Sequence, residues 1–178
     1  MIGLVGGASR CQTRLARALP VLQKAEIGLA TIMLALMVLL VFADVCGREL
    51  FSIGVMGAQK LAVYSFIYTS FLGMAAATGS GRHLRAQLFD FATSRLAPTV
   101  ISRVANVLSF LILAFLAIAG AEFAAESLYL GERGIAVNIP IWIVQAVLPY
   151  AFGSAAARHL SYAFFPDLQP GDADKETP

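Results

Sequence analysis

The stretch AEIGLATIMLALMVLLVFADVCG, residues 25–47, decides the fold. From Ile27 to Ala43 it carries no ionisable side chain, and the first acid after that run is Asp44. Crossing the hydrocarbon of a bilayer takes a helix of about 20 mostly apolar residues, so this run reads as a membrane span. The rest of the chain agrees. Of its 178 residues 58% are hydrophobic and only 13% charged, with a mean hydropathy of +0.75, more apolar surface than one soluble core of this size can hide.

Three further runs follow. LAVYSFIYTSFLGMAAATG covers 61–79 and VANVLSFLILAFLAIAGA covers 104–121, the latter flanked by Arg103 and Glu122 with helix-compatible residues on both sides. IPIWIVQAVLPYAFGSAAA, 139–157, has Pro140 where a first helical turn tolerates it and Pro149 in its interior, where a missing N–H should kink the helix. The expected fold is an all-α integral membrane protein with four transmembrane helices. Its divisions are a basic N-terminal segment (1–24), a membrane domain (25–165) and a polar, proline-bearing flexible tail (166–178).

Orientation follows the cations, because positively charged loops stay in the cytoplasm. With both termini inside, all but Arg48, Lys60 and Arg133 of the 13 Lys and Arg fall on the cytoplasmic side. Glu122, Glu126 and Glu132 cluster on the other. The N-terminus reads as cytoplasmic rather than as a signal peptide, since its apolar start precedes its charges. Arg10, Arg14 and Arg17, with Leu15, Leu19 and Leu22 between them, form either a short helix on the anionic membrane surface or a disordered basic leader.

GSGRHLRAQLFDF, 79–91, places Arg82, His83 and Arg85 where the second span leaves the membrane. This is first a topology and interfacial motif. The residues after it put Leu84, Leu88, Phe91 and Ala92 on one helical face, with Gln87, Asp90, Thr93 and Ser94 opposite. That pattern predicts an in-plane amphipathic helix over about 84–96, between the second and third spans, in contact with membrane lipids.

The span centres hold no ionisable residue, so the chain is not expected to form a transport path alone. Tyr68, Asn106, Ser109 and Gln145 are the polar side chains able to bond neighbouring helices. Gly73, Ala77 and Gly81, spaced by four, form a small-residue face for helix packing, within the chain or against a partner subunit. Glu122 and Glu126 read as a solvated extension of the third helix. His83 and His159 raise a second reading, an anchor subunit holding haem or quinone for a redox enzyme, although both stand near the cytoplasmic ends of their spans. A small stand-alone channel or carrier is a third. No catalytic triad, zinc spacing or phosphate-cradling loop is present, so no enzyme is expected. The net charge of +2 gives no reason to expect nucleic-acid binding. Cys11 and Cys46 lack metal-ligand spacing and read as free thiols.

The order of these features resembles the small membrane subunit of tripartite ATP-independent periplasmic (TRAP) transporters, the DctQ-type family, over about residues 25–165. The resemblance rests on Arg48 in DVCGREL, on Gly73 and the Arg82–His83–Arg85 cluster in FLGMAAATGSGRHLRAQL, and on Pro140 and Pro149 in GIAVNIPIWIVQAVLPYAFG. It implies a bacterial inner-membrane scaffold subunit that binds no cofactor itself. Beside it would stand a large membrane subunit carrying the sodium and substrate sites, served by a periplasmic substrate-binding protein that delivers a small organic acid. One departure concerns the acid that relatives commonly carry before the second span. Here the sequence reads GAQKLAVY, with Gln59 and Lys60.

Overall fold

A computed structural model describes residues 3–79, 98–135 and 137–164. All the regular structure in it is helical: α1 (Gly3–Phe51), α2 (Ala58–Gly79), α3 (Pro98–Tyr129), α4 (Ile141–Gln145) and α5 (Val147–Phe164). Among the described residues there is no strand, only an isolated bridge between Arg133 and Pro140. Three helices, Arg17–Phe51 within α1, α2, and Arg103–Tyr129 within α3, are long and apolar enough to cross a membrane. Their outward side chains fit that solvent, because Ile32, Leu39 and Phe42 of α1 and Leu111, Phe115 and Ile118 of α3 stand more than half exposed. Patches of this extent on a chain in water would drive association.

The fourth apolar run forms a broken helix. α4 stops at Gln145, Ala146 makes a turn, and α5 restarts at Val147. The cause is Pro149, which has no N–H to offer the Gln145 carbonyl and whose ring crowds the same turn. The expected kink is therefore an interruption of the helix. Pro140 stands immediately before α4, as its N-cap, with φ −59° and ψ 126°.

The helices form an open chain of neighbours rather than a closed bundle. α1 packs on α2, α2 on α5, and α4 and α5 on α3, with no substantial packing of α1 against α3 among the described residues. Ala30, Leu72 and Val147 form a small buried cluster, with Ile67, Tyr68, Phe71 and Leu148 around it. Phe71 and Phe152 meet edge to face across the α2–α5 contact, with centroids 5.7 Å apart. Gly120 brings α3 against the break, since a Cβ there would lie 3.3 Å from the Pro149 nitrogen.

Residues 10–24 are helical and continuous with the first span, and Pro20 lies inside that helix. Glu122 and Glu126 are exposed on the last turns of α3, as a solvated extension requires. The expected in-plane helix, together with Gly81, Arg82, His83 and Arg85, lies outside the described residues, as does the tail from 166 onward.

Candidate functional site

At the end of the fold opposite the 52–57 and 130–140 loops, three helices meet on two buried charges. Arg158 of α5 is 1% exposed and Glu26 of α1 is 2% exposed. The Arg158 Nη2 donates to Glu26 Oε2 at 2.6 Å, and Nη1 donates to the backbone carbonyl of Ala75 in α2. The other carboxylate oxygen, Glu26 Oε1, accepts from Ser154 Oγ at 2.7 Å and from the Tyr150 hydroxyl at 3.3 Å. Glu26 thus has both oxygens engaged by donors from α5. One group is left over, Arg158 Nε, which is buried without a hydrogen-bond partner.

The guanidinium also acts on α2. Its donor reaches a carbonyl one turn from the helix end at Gly79, where the helix dipole is negative. The next carbonyl, Ala76, accepts from Gln23 Nε2 at 3.3 Å. A Cβ on Gly79 would stand 3.0 Å from the Gln23 side chain, so this glycine is what lets α1 come so close. Both α1 and α5 therefore cap the end of α2 from which GSGRHLR departs.

This amends the expected distribution of charge. The spans do carry buried charge: Glu26 precedes the first apolar run by one residue, and Arg158 follows the fourth by one. Arg158 also does not belong among the solvated cytoplasmic cations, because it is buried and neutralised. The span centres are free of ionisable groups, as expected.

The polar side chains singled out in the spans are bonded across helices in two cases. The Tyr68 hydroxyl donates to the Ile143 carbonyl in α4 at 2.6 Å. His159 Nδ1 and Asn106 Oδ1 are 3.1 Å apart, joining α5 to α3, with Asn106 6% exposed. Because the amide oxygen can only accept, the imidazole donates there. Tyr162 lies beside the same ring, edge on. Gln145, at the helix break, keeps its Oε1 buried without a partner. Ala25, Leu29, Leu72 and Val147 wall a cleft of about 290 Å³ beside the ion pair, rimmed by Tyr68 and Tyr150.

At the other end Arg48 pairs with Asp44 one turn earlier in α1. Asp44 Oδ1 also accepts from the Val55 N–H at 3.0 Å, and the Gln59 side chain reaches the same carboxylate. Arg48 thus finds its acid on its own helix, in a chain that has Gln59 and Lys60 before the second span. The adjoining turn relies on Ser52 at φ 54° and on bonds from Ser52 N to Arg48 O and Ile53 N to Gly47 O, at 3.0 and 3.1 Å. In the second loop, Ser127 Oγ donates to Glu132 Oε2 at 2.8 Å, and Ile141 N to Glu132 O at 3.0 Å.

Of the small-residue face, Gly73 lies on α2 with nothing within 4 Å of where its Cβ would be. Ala77 follows one turn later on the same helix, partly exposed.

Apolar helices with bonds between them and hydrophobic side chains facing outward define a multi-pass, all-α membrane protein. Residues 37–169 match the family described as tripartite ATP-independent periplasmic transporters, DctQ component, and the chain belongs to that family. It is a TRAP transporter membrane component. No curated protein and no solved structure matches it.

Proposed function

We propose that this chain is the scaffold subunit of a bacterial inner-membrane TRAP transporter. It supports a large membrane subunit that imports a small organic acid on a sodium gradient, the acid being delivered by a periplasmic substrate-binding protein. The DctQ match over residues 37–169 carries this reading. The open row of helices supports it, because a chain that leaves one side each of α1, α2 and α3 uncovered has surface for a larger partner as well as for lipid. So does the state of the buried charges: Glu26 is paired with Arg158 and both its oxygens already accept hydrogen bonds from within the chain, so its charge is spent on holding helices together.

In this reading α4 and α5 together make the fourth crossing, both termini face the cytoplasm, and the 52–57 and 130–140 loops face the periplasm. Sodium and substrate sites belong to the large subunit, and this chain binds no cofactor. Arg82, His83 and Arg85 hold the inner end of the second span at the headgroups, and Gly73, Ala77 and Gly81 form part of the face toward the large subunit. The test is reconstitution. Sodium-driven uptake into vesicles should require this chain, the large subunit and the binding protein together. Uptake with this chain alone would replace the scaffold by a carrier, and stoichiometric haem absorbance in the purified chain would favour the redox-anchor reading.

A further inference from the structure

Arg158 lies well inside α5, a helix of 18 residues that Pro149 separates from α4. An arginine opposes residence of a helix in lipid, yet this one is more completely buried than most apolar side chains of the fold. Its compensation comes from two other helices, Glu26 of α1 and the Ala75 carbonyl of α2. The two partners are not equivalent. Without the guanidinium, Glu26 retains donors from Ser154 and Tyr150. Without the carboxylate, Arg158 retains one backbone carbonyl and already has a buried Nε unpaired.

We propose that Glu26 is the residue that retains the last membrane segment: it neutralises Arg158, so the position of α5 in the membrane is conditional on the first span. This rests on the reading of α4 and α5 as the fourth crossing. When the carboxylate is lost, the cheapest relief is for α5 to slide toward its C-terminal end. One helical turn moves the guanidinium about 5.4 Å, toward the water and headgroups beyond Phe164. The small side chains of the contact, Ala151, Ala155 and Ala156, all buried, offer few ridges against such a slide.

The test uses the full chain with Cys11 and Cys46 replaced by serine and one cysteine at Ala157, an exposed position beside Arg158. An impermeant thiol reagent is applied to inside-out vesicles. Glu26→Gln should raise the labelling rate several-fold, because removing one partner of a buried pair leaves the other's charge uncompensated. Glu26→Gln with Arg158→Gln should return it to the starting rate. Equal labelling in all three chains overturns the proposal, as does a double variant that labels like Glu26→Gln. If Glu26→Gln is too unstable to label, membrane recovery becomes the readout. Arg158→Gln and the double variant should then be recovered well above Glu26→Gln, and a double variant as scarce as Glu26→Gln overturns the proposal. A separate cysteine at Asp174, in a chain with Glu26 and Arg158 intact, reads the four-crossing topology. Labelling of that cysteine from the periplasm would defeat the topology rather than the pairing.

Discussion

The Tyr68 hydroxyl lies 2.6 Å from the Ile143 carbonyl oxygen, tying the middle of α2 to the short helix that precedes the break at Ala146. Irregular backbone within a membrane needs partners from neighbouring helices, and this phenol supplies one three residues before the break. Tyr68→Phe keeps the ring and removes only the donor. It should lower stability by about 1 kcal/mol, the usual scale of such a bond, seen as an earlier midpoint when the detergent-solubilised chain is heated and followed by size exclusion. An unchanged midpoint would mean that the hydroxyl contributes nothing to holding α4.

Two glycines of α1 should behave in opposite ways. At Gly47 an added Cβ would lie 2.7 Å from the Ile53 carbonyl oxygen, a backbone atom that can retreat only if the 52–57 turn moves. Gly47→Ala should cost about 1–3 kcal/mol, the range for overpacked sites. At Gly28 nothing lies within 4 Å of the new atom, so Gly28→Ala should be neutral or stabilise by up to about 1 kcal/mol through helix propensity. The same thermal assay reads both. A Gly47→Ala chain as stable as the original would remove the close approach as a constraint on that turn.

The elements that were legible in the sequence are those governed by local pattern. Apolar run length gave the three long helices, and Pro149 marked the fourth run as the irregular one, although the outcome is an interruption rather than a bend. Tyr68 and Asn106 were readable as bonding groups because a polar atom in lipid must find a partner. Glu26 and Arg158 were not, because each lies one residue beyond an apolar run, where a charge ordinarily marks the water boundary. Their pairing spans 132 positions, and no periodicity reports a contact of that separation. The Asp44–Arg48 pair was within reach, since a spacing of four places both on one helix face. What the local pattern could not supply is the Val55 N–H, which joins only when the chain turns at Ser52.

The topology is open to direct labelling. In a chain lacking Cys11 and Cys46, single cysteines at Ser52 and Glu132 should react with an impermeant reagent from the periplasm, and cysteines at Thr93 and Asp174 should not. Ser52 and Glu132 are exposed in the two loops at one end of the fold, so they must label from the same side. If they report from opposite sides, the fold is wrong; if both report from the cytoplasm, only the orientation is.

For the GRHLR segment, charge should matter more than residue identity. Lysine at Arg82 and Arg85 keeps the attraction to anionic headgroups, worth about 1 kcal/mol per cation, and should preserve insertion and most uptake. Paired glutamates reverse that sign and should impair both. His83→Gln retains a neutral hydrogen-bonding side chain but cannot readily serve as a haem ligand or proton shuttle. It should insert, assemble and support substantial uptake with the other two components. Normal assembly with complete loss of uptake would make His83 a mechanistic residue.

The last prediction concerns the face of α2 that carries Gly73. Val63, Phe66, Ser70, Gly73 and Ala77 recur at intervals of three and four, so they share one side of the helix, and Val63 and Phe66 on it are more than half exposed. Helices in lipid associate where small residues let their backbones approach, and Gly73 has open space around its Cα within this chain. A Cβ added there therefore has no close contact with the rest of the chain. Gly73→Leu should leave the thermal midpoint of the isolated chain unchanged while reducing co-purification of the large subunit, by about tenfold if the clash costs about 1.4 kcal/mol. Ala77→Leu should act in the same direction, although Ala77 already has interactions within the chain and its midpoint could move as well. Gly73→Leu is thus the cleaner probe, because folding and assembly are read separately. If it leaves both the midpoint and the co-purified large subunit unchanged, this side of α2 faces lipid, and the search for the interface moves to the exposed faces of α1 and α3.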